Sequence, residues 1–258
     1  MALQSAEVGP LSASGRQSAI TDVYHQLLEL VSRRATVATL SRAPVPDELL
    51  RKVLDLAHFA RSSGNAQPWE LILITNVSVK RELNQLYREF DADFSYWMEQ
   101  QRAPELRLAN LNVSAEEFAN WRADPGWADA PALVAIVGDG RRQWGGPWAA
   151  HTFGRHQTDL TDGLANLTTL LEVAALSLGL AAQTTPLRVE DPFKEALGVP
   201  DNCTLHSIVA LGYPGREPTP SVRASLDDVL HRDRYEPAKR LSDEQILDWL
   251  RNLRAQPG

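Results

Sequence analysis

Three short apolar runs alternate with longer segments of helical periodicity along the chain. The runs cover residues 69–75, 132–138 and 205–212, and each is mostly apolar. Runs of this length and composition are typical of strands that are covered on both faces of a sheet. A fourth segment, residues 180–186, fits either a strand or a loop at a functional site. The pattern therefore predicts a small buried sheet with helices around it.

Apolar residues recur every three or four positions between these runs, which predicts helices. The predicted helices cover residues 21–32, 46–60, 77–90, 159–178, 191–197 and 242–253. The segment 159–178 carries apolar residues on nearly all sides, which is typical of a helix that is buried all round. In a domain of this size, such a helix is expected to pack on its own sheet and on a second subunit.

The remaining segments predict one domain with an appendage at each end. Residues 1–18 lack periodicity and are interpreted as a flexible N-terminal tail. Residues 19–218 form the domain itself. Within it, residues 91–130 are polar and irregular but rich in aromatic side chains, which predicts an insertion of short helices; we call it the aromatic insertion. Residues 219–258, with many charges and prolines, are predicted to form a C-terminal arm and helix.

The composition narrows the class of protein. A net charge of -7 and a pI near 5.4 argue against a nucleic-acid-binding surface. No apolar run is long enough to cross a bilayer, and the N-terminus lacks the features of a signal peptide. The single cysteine, Cys203, cannot form an internal disulfide, so a cytoplasmic location is expected. Cys203 has no ligand partner at metal spacing, and we predict no metal site.

The stretch from Arg61 to Trp69 is the strongest candidate for a binding site. Two serines, a glycine and an asparagine lie between a predicted helix and a predicted strand. Such residues offer hydroxyls, an amide and approachable backbone N–H groups to the polar edge of a flat ligand. Pro68 favours an extended conformation at Gln67. The alternative is an ordinary turn between helix and strand.

Other polar candidates are weaker. His151 and His156 lie in a loop before the long helix and could donate protons in the site. The alternative is a surface or capping role for both histidines. Gly138 and Gly140 do not make a dinucleotide-binding fingerprint, because no third glycine opens a helix after them.

Four segments in order resemble the FMN-dependent nitroreductase family. Residues 33–40 stand where the family has an Arg-x-Ser-x-Arg/Lys pattern, and residues 62–69 are close to its Ser-x-x-Asn-x-Gln-Pro-Trp signature. The third segment is the end of the long helix with residues 181–188. The fourth joins residues 197–200 to residues 210–216. The resemblance covers roughly residues 21 to 216.

The resemblance implies an α+β fold with a mostly antiparallel central sheet flanked by helices, in an intertwined homodimer that holds FMN at the subunit interface. It implies that Arg34, Thr36 and Arg216 meet the FMN phosphate, with Arg33 beside them. It also implies ring contacts and a backbone approach to flavin N5. The residues concerned are Ser62, Ser63 and Asn65 for the ring, and Pro186, Leu187 and Arg188 for N5.

The sequence departs from the family at one informative position. Ala38 stands where the family usually has a second Arg or Lys, close to the flavin edge that becomes negative on reduction. A short apolar side chain cannot stabilise that charge, which leaves room for a specialised member of the family.

Three functions follow from the resemblance. The first is an NADH- or NADPH-dependent FMN oxidoreductase acting on nitroaromatics, quinones or similar acceptors by ping-pong hydride transfer. The second is a specialised oxidase, dehydrogenase, dehalogenase or flavin-fragmenting enzyme, and the third is a non-enzymatic flavin-binding protein. For the first two, Tyr96, Trp97 and Trp121 of the aromatic insertion are expected to line the substrate pocket. The alternative is that these rings only pack the insertion onto the domain.

Overall fold

A computed structural model describes most of the chain. The described residues are 13–35, 37, 39–108, 111–121, 124–142, 155–217 and 223–255.

Four strands form one sheet at the centre of the domain. They are β1 (Trp69–Ile74), β2 (Ala132–Asp139), β3 (Ala181–Pro186) and β4 (Cys203–Gly212). Their order is β1-β2-β4-β3, and every neighbouring pair is antiparallel. The three apolar runs of the sequence are therefore strands, and the ambiguous fourth segment is the edge strand β3. The mostly antiparallel α+β architecture is confirmed.

Helices cover both faces of this sheet. In the described part of the chain they are α1 (Ala13–Ser32), α2 (Asp47–Ala57), α3 (Val77–Leu86), α4 (Ala92–Gln100), α5 (Ala115–Trp121), α6 (Arg155–Ser177), α7 (Asp191–Leu197), α8 (Leu226–Val229) and α9 (Asp243–Ala255). Because α1 begins at Ala13, residues 13–18 are helical where the sequence indicated an irregular tail.

Each face of the sheet has its own hydrophobic core. Helices α2 and α6 pack on one face, where Val53, Leu164 and Leu171 are buried with Val134 and Val209. The other face is covered by α3 and α7. The backbone of β2 approaches α6 so closely that a Cβ at Gly138 would lie 2.7 Å from a methyl carbon of Leu164. This close packing fixes α6, which supports much of the candidate site.

Within one chain, α6 is buried on one side only. Its fully buried positions recur at i, i+3, i+4 and i+7, as in an ordinary amphipathic helix. They include Leu160, Leu164, Leu167, Leu171 and Ala174. Val173 and Leu176 are only partly buried. The expectation of a helix buried all round is therefore not met by a single chain.

The aromatic insertion contains the short helices α4 and α5, and its first part continues directly from α3. Tyr87–Asp91 is a single π-helical turn that joins α3 directly to α4. The insertion has a small core of its own, made by Ala92, Tyr96, Leu111 and Phe118. Trp127, near the C-terminal end of the insertion, packs instead into the core on the sheet face that α3 and α7 cover.

The C-terminal arm carries α8 and α9, and α9 packs against Pro104–Leu106 of the aromatic insertion. Several of its apolar side chains are exposed, including Leu226, Tyr235 and Trp249. Among the described residues, no helix has the length and apolar character needed to span a bilayer.

Candidate functional site

The turn before β1 has an unusual backbone. Gly64, Asn65 and Gln67 all have positive φ angles, of 58°, 53° and 47°. Gln67 is therefore left-handed, which corrects the extended conformation expected from Pro68. The side-chain Oγ of Ser62 accepts a hydrogen bond from the Gln67 N–H at 2.9 Å and closes the turn. Left-handed non-glycine residues persist only where the surroundings impose them, and they concentrate at binding sites.

Helix α6 holds this turn in place. The side-chain amide of Asn166 donates to the carbonyl of Arg61 at 3.1 Å. A Cβ at Gly163 would be in ordinary van der Waals contact with Pro68 and Ser62, at 3.5 and 3.6 Å, so α6 runs directly beside the turn. Gly163 and Asn166 lie on one side of α6, so the turn rests on a rigid support.

Trp69 fixes the end of the same turn. Its ring is buried, and its indole Nε1–H donates to Nδ1 of His58 at 3.1 Å. This bond requires that Nδ1 of His58 carries no proton. His58 is therefore a partner of the signature tryptophan, although its ring lies at the surface.

Arg34 and its surroundings form a second candidate region. Arg34 Nη1 donates to Oε2 of Glu172 at 3.0 Å, and the hydroxyl of Thr184 donates to Oε1 of the same carboxylate at 2.7 Å. The Arg34 side chain remains 37% exposed. It lines a groove, which we call the arginine groove. The groove residues include Arg33, Arg34, Val37, Glu172, Gly179 and Glu217.

The segment that carries Arg216 lies beside the segment that follows Arg34. The N–H of Ser41 donates to the Tyr213 carbonyl at 2.8 Å, and the N–H of Gly215 donates to the Thr39 carbonyl at 2.9 Å. The structure therefore brings together the two chain segments that were predicted to share the phosphate. Arg216 itself is exposed. Thr36 and Ala38 lie outside the described residues, so their predicted roles rest on the sequence alone.

The turn and the arginine groove do not meet within one chain. Asn166 supports the turn, whereas Glu172 lies six residues later on α6, about 9 Å along the helix axis. None of the residues that line the arginine groove belongs to the turn. Ser62, Ser63 and Asn65 thus form one group, whereas Arg33 and Arg34 line the groove and Arg216 lies on the segment beside it.

The loop after β3 contains the predicted N5 contacts. Pro186 has no N–H to donate. The N–H groups of Arg188 and Val189 both donate to Oδ1 of Asp91, the latter at 3.1 Å. Leu187 directly precedes these two donors along the backbone. Asp91 was not singled out from the sequence, because its partners lie 97 and 98 positions away.

Asp91 is almost completely buried, with 1% of its surface exposed. Burial raises the pKa of its carboxyl, and the hydrogen bonds from Arg188 and Val189 oppose that shift. Burial and the Asp91 charge also raise the pKa of Tyr87, one turn earlier, to about 12. The two groups form a buried polar element between the aromatic insertion and the domain.

The predicted pocket aromatics have different surroundings. Tyr96 is 3% exposed, stacks on Phe118 with 4.3 Å between ring centroids, and donates its hydroxyl to the Val113 carbonyl at 3.0 Å. This burial favours a packing role for Tyr96. Trp97 is 58% exposed and is free to contact a ligand. Trp121 ends α5, and its side chain is outside the described part.

Other reactive groups of the described residues have structural surroundings. Burial raises the pKa of the Cys203 thiol and lowers the pKa of the His206 imidazole. No group of three or more His, Cys, Asp or Glu side chains among the described residues could hold a metal ion. His151 lies outside those residues, as does the side chain of His156.

Comparison with known proteins identifies the family of this chain. The sequence profile of the Nitroreductase family matches residues 31–213. A protein named NADH dehydrogenase from Thermus thermophilus is 28% identical over 211 residues, which cover 77% of this chain and 91% of that protein. Iodotyrosine deiodinase 1 of Rattus norvegicus is 24% identical over 212 residues, which cover 80% and 68%.

Among solved structures, this chain is similar to oxidized iodotyrosine deiodinase bound to FMN and 3-iodo-L-tyrosine. The TM-score is 0.61 at 19% identity, and the match covers 81% of this chain and all of that one. The profile match spans well over half of the chain, and it contains the turn, Arg34 and the loop after β3. The chain therefore belongs to the nitroreductase family, and it is a flavin-dependent oxidoreductase of that family.

Proposed function

We propose that this protein binds FMN between two copies of the chain and transfers hydride from NADH or NADPH to an electron-poor acceptor. The turn that contains Ser62, Ser63 and Asn65 carries this proposal. It holds two non-glycine residues in a left-handed conformation, at a cost of about 1–3 kcal/mol each. A strained turn that presents hydroxyls and an amide at the surface is suited to the polar edge of a flavin ring.

The arginine groove fits a phosphate. A guanidinium has five N–H donors, and of the Arg34 nitrogens only Nη1 donates to Glu172. The remaining donors of Arg34, together with Arg33 and Arg216, suit a dianionic phosphate. Glu172 and Glu217 also line the groove, so its net charge is lower than the arginines alone would give. A single phosphate group favours FMN over FAD.

The chain's own residues position the cofactor and its partners. When bound, FMN would accept hydride from NADH or NADPH and deliver it to the acceptor, so that donor and acceptor react in turn. The turn at Ser62–Gln67 orients the ring, and the loop 186–189 approaches it with the Leu187 N–H. The exposed Trp97 is placed to contact the acceptor.

A homodimer completes this site. Because the turn and the arginine groove lie apart on one chain, one copy is proposed to supply the ring contacts and the other the phosphate contacts. Apolar surface on α1 supports this arrangement, since Val23, Tyr24 and Leu27 are 63%, 58% and 52% exposed. Large exposed apolar patches mark surfaces that another chain covers. The half-buried side of α6 supports it as well.

Flavin release and anaerobic mixing test this function. Heat-released flavin from the purified protein is expected to run with FMN standards, and light scattering is expected to give twice the chain mass of 28.6 kDa. Rapid bleaching of the bound flavin by NADH or NADPH, followed by recolouring with a quinone or nitroaromatic, is the expected result. Released FAD, a flavin-loaded monomer, or a flavin that neither nucleotide bleaches would each contradict the proposal.

Reductive dehalogenation is the second candidate. The similarity to iodotyrosine deiodinases extends over most of the chain in both sequence and fold. An exposed tryptophan on α4 is suited to stack on a halogenated aromatic ring. Halide release from 3-iodotyrosine with a chemically reduced flavin would favour this candidate. Turnover of nitroaromatics and quinones without halide release would exclude it.

A further inference from the structure

The π-helical turn Tyr87–Asp91 joins the aromatic insertion to the body of the domain. Tyr87 packs its ring on the fully buried Trp127, with 5.0 Å between the ring centroids. The same ring also packs against the small core of the insertion. A single π turn inside a longer helix frequently marks a functional site. A displacement of the insertion would therefore be transmitted to the rest of the domain through this turn.

Asp91 contacts the loop after β3 from this turn. Its Oδ1 accepts two consecutive backbone N–H groups, from Arg188 and Val189. Burying a carboxylate costs free energy unless hydrogen bonds compensate it, and bonds to a charged acceptor are about twice as strong as neutral ones. An apolar residue would fill the space without that cost. The position of Asp91 therefore points to a task at the loop rather than to packing.

The other end of the loop is also fixed. Glu190, which precedes α7, accepts the N–H of Leu205 on β4 through Oε2 at 2.5 Å. Leu187 packs against the core on the sheet face that α3 and α7 cover. The backbone of residues 187–189 is thus held on the sheet side by β4 and the core, and on the insertion side by Asp91. Of these supports, only Asp91 belongs to the insertion.

We propose that Asp91 is a positioning residue that sets the backbone of residues 187–189 against the bound flavin and links that backbone to the aromatic insertion. This inference rests on the proposed function. By accepting the N–H groups of Arg188 and Val189, Asp91 fixes the backbone next to the Leu187 N–H, which is the donor proposed to face the flavin. A shift of Asp91 would move that donor.

The same helix carries the exposed Trp97. Asp91 and Trp97 are six residues apart, about 9 Å along the helical axis. Because the two residues lie on one continuous helical segment, a displacement of α4 by a ligand at Trp97 is proposed to reach Asp91. Substrate contact and the hydrogen bond next to the flavin are thereby coupled through one element.

Three variants test the inference. Asp91→Asn keeps the shape and an acceptor but removes the charge, and Asp91→Ala removes the acceptor. Glu89→Gln is the matched control, because Glu89 lies on the same π turn, is exposed and loses the same charge. All three are first compared by thermal unfolding and by flavin content. Asp91→Asn preserves the test if Asp91→Ala does not fold.

The first measurement is hydrogen exchange of the Arg188 and Val189 amides, with and without FMN. Exchange is expected to rise about tenfold in Asp91→Asn and further in Asp91→Ala, since a charged acceptor is replaced by a weaker one or by none. Glu89→Gln is expected to match the wild type. Unchanged exchange in both Asp91 variants would overturn the inference.

The second measurement is made on the flavin. In Asp91→Asn, the absorption spectrum and reduction potential of bound FMN are expected to shift, and kcat to fall about tenfold while KM for the nucleotide changes less than threefold. Faster exchange with an unaltered flavin spectrum, potential and kcat would show a purely structural role and would overturn the inference. A wild-type protein that binds no FMN would instead refute the proposed function, and with it the link to the flavin.

Discussion

The two halves of the candidate site are built in different ways. The turn from Arg61 to Trp69 is closed by its own hydrogen bond and held by Asn166 and His58. The arginine groove carries the exposed Arg33 and the partly exposed Arg34, which makes an ion pair with Glu172, and Glu217 also lines it. The turn is held in its conformation before a ligand binds, whereas the groove presents charged side chains that a ligand can contact. The difference indicates that the turn determines geometry and that the groove supplies affinity.

The largest effect is expected from Arg34→Ala. Loss of a charged hydrogen bond to a phosphate costs about 1.5–3 kcal/mol, so FMN affinity is expected to fall at least tenfold. Arg216→Ala is expected to act in the same direction. Arg42→Ala is the control, because Arg42 forms an exposed ion pair with Asp129 away from the groove. Titration of the apoprotein with FMN, followed by flavin fluorescence, measures the change. Unaltered affinity in both Arg34→Ala and Arg216→Ala would assign the phosphate elsewhere.

Ser62→Ala is expected to have the next largest effect. It removes the acceptor of the Gln67 N–H and releases a turn that contains two strained residues. The free energy of unfolding is expected to fall by about 1 kcal/mol, the usual net value of one hydrogen bond. The absorption spectrum of any bound flavin is expected to shift as well. Ser32→Ala, which removes an exposed hydroxyl at the end of α1, is the control. A turn that keeps flavin spectrum and stability unchanged would not be the preorganised half.

The contrast between the turn and the groove explains which structural features could be predicted from the sequence. Local signals were sufficient for the strands, because a run such as 132–138 is apolar throughout and has a single compatible environment. The turn was found from its residue types alone. Its backbone was not, since the Ser62 hydroxyl and α6 impose a left-handed Gln67 against the extended preference before proline.

Features that depend on distant partners were missed. Asp91 acquires its role from residues 97 and 98 positions away, and Arg34 acquires a carboxylate partner 138 positions away. No local pattern distinguishes such an aspartate from an exposed one. The burial of α6 on all sides was predicted from its composition, but a single chain buries one side, and the proposed second copy would cover the other.

Glu172→Gln sharpens the comparison by a smaller effect. In this variant the amide oxygen can still accept from Arg34 while the amide N–H donates to the Thr184 hydroxyl, and the negative charge next to the proposed phosphate is removed. FMN affinity is therefore expected to increase by about threefold, which corresponds to roughly 0.7 kcal/mol. Asp55→Asn, at an exposed ion pair on α2, is the control. A decrease in affinity would instead mean that the Glu172 charge is needed to orient Arg34.

The smallest effect concerns the sheet on which both halves rest. Burial lowers the pKa of His206 on β4, so the unfolded chain binds a proton more readily than the folded one below the ordinary histidine pKa of about 6.5. Stability is expected to fall as the pH decreases from that value towards the lowered pKa, because the unfolded state gains protons there. His206→Gln should flatten this part of the stability curve. His25→Gln, on the exposed surface of α1, should not. Urea unfolding at pH 5 and pH 7.5 measures the difference, and parallel curves for the wild type and His206→Gln would show that acid sensitivity arises outside the sheet.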